Sequence, residues 1–247
     1  MRRREFIALL CGVVATRPLA ARAQVQRGGE SDQVAPVFAS RLPLLPPRSV
    51  PWSLKSLESA ETSLRYDEYA RMVMTIRHDV LKGLSPDMLA WWFRNIGGDM
   101  ELDGQQVNKY LVWHPIDHIK FEVVRPAGDG NIGPGAVFRI VEAFNADPNL
   151  YVDIRDEVIR LDPTGFTLVQ RRLGVEVARL NHDFAAVQGG ASYFSTLTIG
   201  TTVAARSILN PLLHRYVFTE RMGRAWLRHN VEEVGALEHI VPRIYPR

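Results

Sequence analysis

Apolar and polar positions along the chain fall into alternating runs, one short helical stripe and one long one. Alternation over Tyr69 to Arg77 predicts a strand. Ser85-Pro86-Asp87 reads as a helix start, with Ser as the cap and Pro in the first turn. Met88, Leu89, Trp92, Phe93 and Ile96 then recur at helical spacing until Gly97-Gly98 stops them. Further strands are predicted at Tyr110–Trp113, Ile119–Val124, Ala136–Phe144, Leu150–Leu161, Phe166–Leu173, Val175–Val187 and Ser192–Ile199. Tight turns such as Pro163-Thr164-Gly165 separate some of them. A long helical stripe runs from about Val217 to Ile240, and Pro242 is expected to close it. A strand, a short helix, a run of antiparallel strands and a long final helix make an α+β order. This order fits a curved antiparallel sheet gripping the C-terminal helix, with an apolar cavity between them suited to a small apolar ligand.

The first 51 residues follow different patterns. Arg2-Arg3-Arg4-Glu5-Phe6-Ile7, the apolar run Ala8 to Ala15, and Ala21-Arg22-Ala23 have the order of a secretory signal, with cleavage expected after Ala23. Arg3-Arg4 with Phe6 and Ile7 resembles the twin-arginine type, which implies a periplasmic destination. Cleavage would remove Cys11, the only cysteine, so the mature chain would lack disulfides, Cys-ligated zinc and Cys nucleophiles. Residues 24–51 are rich in Arg, Pro, Gly and Ser and lack periodicity, as in a tail or extended wrapping segment. Residues 52–247 then form one domain.

Charge narrows the function classes. The net charge of +3 comes from the first 23 residues, which hold five arginines and one glutamate. The remainder carries 25 basic and 26 acidic residues, so it has no broad electrostatic reason to bind nucleic acid. No apolar run reaches 18 residues, so no ordinary membrane-spanning helix is expected.

Two local patterns could carry chemistry. One is Trp113-His114-Pro115-Ile116-Asp117-His118; the other is His229-Asn230-Val231-Glu232-Glu233 inside the final helix. His229 and Glu233 are four apart and share a helical face with Met222, Ala225 and Trp226 nearby, so that face points inward. An imidazole and a carboxylate on an inward face need partners, and a metal would satisfy both. With nitrogen and oxygen ligands, zinc leads, with iron or manganese behind. The same spacing is also common as a weak pair on exposed helices. Other features read as structural. Trp91-Trp92 is core packing, Arg171-Arg172 a solvated strand end, and the glycine-rich stretch 128–135 a loop that precedes a strand rather than a phosphate-binding helix. Ser192 and Ser195 lie in a polar strand without the G-x-S-x-G elbow of a serine hydrolase.

Three segments taken in order resemble the 2,4-diacetylphloroglucinol hydrolase family. They are Met88-Leu89-Ala90-Trp91-Trp92-Phe93, then Tyr110 with Trp113-His114-Pro115-Ile116-Asp117-His118, then His229 to Glu233 with Leu237 and Pro242-Arg243-Ile244-Tyr245. The resemblance implies a helix-grip fold of the Bet v 1 and START type. It also implies a zinc-dependent hydrolase that removes an acetyl group from an acylphloroglucinol by cleaving a carbon–carbon bond. It implies a metal site of two His and two Glu: His229 and Glu233, His118 with His114 as its rival, and Glu142 as the second carboxylate. Tyr110 would then face the substrate acyl oxygen, with His114 or Asp117 helping to orient the ketone or move a proton. The stretch from Val124 to Leu161 departs from the family pattern, and so does the export signal. The expected partner is a small aromatic or polyketide-like substrate, with no nucleic acid and no stable membrane insertion after cleavage; a homodimer is one option for its assembly. The alternative is a helix-grip carrier of an apolar aromatic ligand without chemistry. A weaker third reading is a purely structural zinc.

Overall fold

The computed structural model describes residues 41–246. The signal-like residues 1–23, and residues 24–40 of the segment after them, lie outside this range. Eleven strands and four α-helices follow one another: β1 (Glu61–Tyr66), β2 (Met72–Arg77), β3 (Leu81–Lys82), α1 (Pro86–Arg94), β4 (Asp99–Leu102), β5 (Gln105–Asn108), α2 (Lys109–Trp113), β6 (His118–Arg125), β7 (Val137–Ala143), β8 (Tyr151–Asp162), β9 (Gly165–Arg172), β10 (Val175–Val187), β11 (Gly190–Ile199), α3 (Arg206–Tyr216) and α4 (Glu220–Ile244). Nine strands form one sheet in the order β1-β2-β11-β10-β9-β8-β7-β6, with β3 paired to the end of β11. Every pairing is antiparallel, and β4–β5 is a separate hairpin.

The 25-residue α4 packs against one face of this sheet. Its first half buries Met222, Trp226 and Val231 against Met72, Met74 and Leu197 at one end of the sheet. Its second half buries Val234, Leu237 and Val241 against Phe138, Val158 and Phe166 toward the other end, with Trp92 and Phe93 of α1 beside them. The fold is therefore a helix-grip α+β arrangement. The opposite face of β6 and β7 presents Ile119, Val141 and Ala143, which Leu42 and Leu45 cover. Residues 41–51 have no regular secondary structure, and this part of the N-terminal segment runs along the sheet.

Local chemistry explains the element boundaries. Ser85 Oγ accepts from Met88 N and starts α1, as the sequence predicts. The strand expected from Tyr69 begins at Met72, because Asp67 folds back to accept from Tyr69 N and Arg71 N. The strand expected at Tyr110–Trp113 is instead the helix α2, because Asn108 Oδ1 accepts from Leu111 N and caps it. Helix α4 starts at Glu220, three residues later than expected, since Thr219 is its cap. Pro242 does not end it: the last turn contains Pro242 and closes through Tyr245 N to Val241 O at 2.9 Å. Strand β1 was hidden because its side chains are mostly exposed and show no apolar alternation. Helix α3 was hidden by Pro211 in its interior.

Candidate metal centre

The register of β6 and β7 places His118 directly opposite Glu142. Cross-strand partners point to the same face, so imidazole and carboxylate stand side by side. Helix α4 brings His229 and Glu233 onto that face from above, one turn apart. All four side chains are buried. His118 Nε2 lies 3.4 Å from Glu142 Oε1 and 3.5 Å from Glu233 Oε2. His229 Nε2 lies 3.6 Å from Glu142 Oε2 and 3.7 Å from Glu233 Oε2. Tetrahedral ligands at bond lengths of about 2.0–2.2 Å stand about 3.3–3.6 Å apart.

Neighbouring groups fix which atoms face the centre. His118 Nδ1 donates to Tyr110 O at 2.6 Å, which leaves Nε2 as a lone pair without a hydrogen-bond partner. His229 Nδ1 donates to Asp117 Oδ2 at 2.9 Å, which leaves its Nε2 as a lone pair as well. Glu142 Oε1 accepts from Tyr110 Oη at 2.5 Å, and Glu233 Oε1 accepts from Asn230 Nδ2 at 2.6 Å. His118, His229 and Glu233 thus bring one acceptor atom each to within 4.8 Å of one another, and Glu142 stands beside them with Oε1 toward His118 and Oε2 toward His229. Buried acceptors in this arrangement require a cation. Two nitrogens and two oxygens suit zinc, and a divalent ion would balance the two carboxylates. An outer layer that fixes the imidazole tautomers is what a metal centre needs.

Without a metal, a proton is the cation at hand. Burial alone would depress the His229 pKa, but Glu142, Glu233 and Asp117 raise it to about 10. Burial dominates at His118 and lowers it to about 3. Burial also raises Glu233. Burial opposes ionisation of Asp117, yet its hydrogen bond and charge pairing with His229 prevail and hold it at about 2.

The structure separates the remaining expected residues from one another. Tyr110 belongs to the site: its ring stacks on His118 with centroids 3.9 Å apart, and its hydroxyl is engaged by Glu142 rather than open to a substrate. His114 and Asp117 both pack on His229: the His114 ring stacks on it with centroids 4.5 Å apart, and Asp117 Oδ2 holds its Nδ1. His114 Nε2 is bonded to Glu232 Oε2 at 3.0 Å, and its Nδ1 accepts from Asp117 N at 3.1 Å. Asp117 Oδ1 accepts from Ala146 N at 3.1 Å. That bond uses a turn in which Asn145 and Ala146 have φ of 57° and 50°, conformations that L residues seldom adopt. His114, Asp117 and His229 Nδ1 also cluster closely. Their atoms are already satisfied by hydrogen bonds, so this second cluster needs no ion. His118 rather than His114 is the strand histidine at the centre.

Sequence reasoning missed several polar groups of the interior. His78, His182 and Ser195 are buried together, with Ser195 Oγ 3.0 Å from a ring nitrogen of each histidine. Phe93 and Phe166 stack on the His182 ring. Tyr193 Oη, Trp92 Nε1 and Asn230 Oδ1 are buried without a hydrogen bond of full geometry. The only signal for these residues was a polar position on an otherwise apolar face, and it required knowing which face was inward.

No family model matches the chain, and no curated protein matches it in sequence. Solved structures resemble it distantly. A START superfamily protein from Mycobacterium smegmatis has a TM-score of 0.44 and 8% identity, covering 68% of this chain and 97% of its own. Protein Ms6760 from the same organism has a TM-score of 0.41 and 14% identity, covering 72% of this chain and 97% of its own. Ara h 8.0201 has a TM-score of 0.35 and 15% identity, covering 64% and 97%.

Proposed function

We propose that this protein is a metal-dependent hydrolase that cleaves a carbon–carbon bond of a small acylated phenolic or aryl ketone, as the 2,4-diacetylphloroglucinol hydrolase family does. The observation that carries the metal part of this reading is the buried set of His118, His229 and Glu233 with Glu142 beside it, and with His118 Nε2 left unpartnered. His118, Glu142, His229 and Glu233 would hold zinc or another divalent ion. Zinc bound there supplies Lewis acidity toward a ketone oxygen. The chain itself contributes the surroundings. Asp117 and the Tyr110 carbonyl hold the two imidazoles in one tautomer. Tyr110 keeps its proton, because burial and the neighbouring carboxylates push its pKa well above the usual phenol value. Phe93, Phe166, Phe184 and Tyr193 pack on one another in the buried interior and keep water out of it. In the reaction, water adds to the acyl carbon, the aryl–acyl bond breaks, the ring carbon takes up a proton and the acyl group leaves as a carboxylic acid. A phenolic ring in its keto form accepts the electron pair of the broken bond.

One observation favours a second reading, a carrier of an apolar aromatic ligand. Tyr193 Oη and Trp92 Nε1 are unpaired polar atoms in an aromatic interior, which suits a mostly apolar ligand with a few polar groups. The order of charge, apolar run and small-x-small site in residues 1–23 supports export to the periplasm with cleavage after Ala23. The test is acetate release from acylphloroglucinols and simpler aryl ketones by wild type and Glu233→Gln. Metal occupancy and turnover are expected to fall together in the variant. Metal-free wild type that binds the aromatic compounds and releases no acid would establish the carrier.

A further inference from the structure

Helix α3 turns its apolar side chains outward. Of Ile208, Leu209, Pro211, Leu212 and Leu213, only Leu213 is buried. Ile208 is 65% exposed, and Pro211 is exposed beside it on the same face. Val203, Ala204 and Ala205 are exposed as well. They form a turn that winds into α3 through Arg206 N to Val203 O at 2.9 Å and Ile208 N to Ala205 O at 3.1 Å. What holds α3 on the body is largely polar. Asn210, fully buried, accepts from Thr201 N at 2.8 Å and donates to Tyr69 O at 2.8 Å and Thr201 O at 2.9 Å. His214 Nε2 donates to Ala70 O at 3.0 Å. A surface helix ordinarily buries its apolar stripe and exposes its polar one. Here an amide anchors the inner face, and the outer face carries the apolar residues.

The charge around this face has one sign. No aspartate or glutamate occurs between Asp183 and Glu220. Arg206 opens α3 and Arg215 stands in its last turn. Arg206 lies over the Tyr69 ring at 5.3 Å and Arg215 over the Tyr216 ring at 5.4 Å, so both guanidinium groups meet aromatic faces rather than carboxylates. Beside them Tyr66 is 48% exposed, and its ring meets His214 edge-on at 5.4 Å. The adjoining turn brings Asp67, which Arg71 takes at 2.7 Å, and Glu68. Glu220, past the end of α3, is taken by Arg224 at 2.6 Å. Arginine, tyrosine and exposed aliphatic side chains on one short helix are the composition of a membrane-interface surface.

We propose that α3 and the turn before it dock on the surface of an anionic lipid bilayer, with Val203, Ile208 and Pro211 dipping below the headgroups and Arg206 and Arg215 meeting lipid phosphates. At 11 residues the helix lies in the interface and is too short to span it. A second copy of the chain suits this face less well, because a two-fold contact would set the same arginines against each other with no carboxylate of the segment to pair them. Nucleic acid suits it less well too, because the outward stripe is apolar. The proposal does not depend on the metal reading. Helix α3 leads directly into α4, which carries His229 and Glu233. A hydrolase or a carrier docked this way would meet an apolar aromatic compound where such compounds collect.

The test uses the full chain as wild type, Ile208→Glu, Ile208→Leu and the double variant Arg206→Gln with Arg215→Gln, so that binding by any other segment is common to the set. Each protein is sedimented with vesicles of phosphatidylcholine and of an equal mixture with phosphatidylglycerol. Amide hydrogen exchange over residues 203–216 is followed with and without the vesicles. Wild type is expected to sediment with the mixed vesicles and to exchange more slowly over α3 when bound. Ile208→Glu should weaken the partition about 10-fold or more while unfolding at the wild-type temperature, and Ile208→Leu should retain it. The arginine variant should bind the mixed vesicles about 10-fold more weakly and lose the preference for them. Wild type that binds neither vesicle, or binds with exchange over α3 unchanged, would overturn the proposal. Equal sedimentation of wild type and Ile208→Glu would overturn it as well. Protection of α3 that grows with protein concentration and ignores vesicles would overturn it in favour of a second copy.

Discussion

Asp117 shows how one buried carboxylate can control a site it does not touch. Its Oδ2 holds His229 Nδ1, and its own Oδ1 is held by a strained turn at Ala146. Asp117→Asn retains the volume but loses the charge that favours a donated imidazole proton. Zinc affinity should fall about 10–100-fold, measured by competition with a chelator. Burial lowers the His182 pKa to about 3, against an ordinary value of 6.5. The folded state therefore keeps His182 neutral while the unfolded chain protonates it. Its contribution to stability is complete above about pH 6.5 and is lost as pH falls from there toward 3. His182→Gln should flatten the decline of unfolding temperature between pH 7 and pH 4, and an unchanged slope would contradict this. His229 and Glu233 were legible in the sequence because helical spacing alone puts them together. The pairing of His118 with Glu142 was not legible from spacing, because it depends on strand register between segments 24 residues apart.

At the level of elements, α4 organises the interior, and its fit to the sheet depends on Gly223. A Cβ there would lie 2.9 Å from Met74 Sδ and 3.0 Å from both Met72 Sδ and Leu64 Cδ1. Gly223→Leu should lower stability by about 1–3 kcal/mol through overpacking, read from urea unfolding. A variant as stable as wild type would show that the helix can lift without cost. The strands β6 to β11 were readable from apolar and β-branched runs set off by turn residues, with burial alternating throughout only in β11, and α4 because its stripe is long. The helix α2 was not, because five residues, four of them apolar, suit either state and only the Asn108 cap decides between them. Strand β1 carried no signal, because an exposed edge strand needs no apolar face.

At the scale of the whole molecule, the segment before the sheet belongs to the architecture. Arg48 N donates to Pro115 O at 3.0 Å, and Leu42 N donates to Tyr151 Oη at 3.1 Å. The loop before His118 and the strand after Glu142 are thereby tied together from outside. Deleting residues 41–48 should weaken zinc binding more than it changes the fold, checked by metal affinity alongside circular dichroism. The central claim is that four acceptors surround one divalent ion, and the most direct measurement is an anomalous-difference map from zinc-soaked crystals at the zinc absorption edge. A single peak within bonding distance of His118 Nε2, His229 Nε2, Glu142 and Glu233 Oε2 is the expected result. A map with no peak there, or with its peak between His114 and Asp117, would contradict the account.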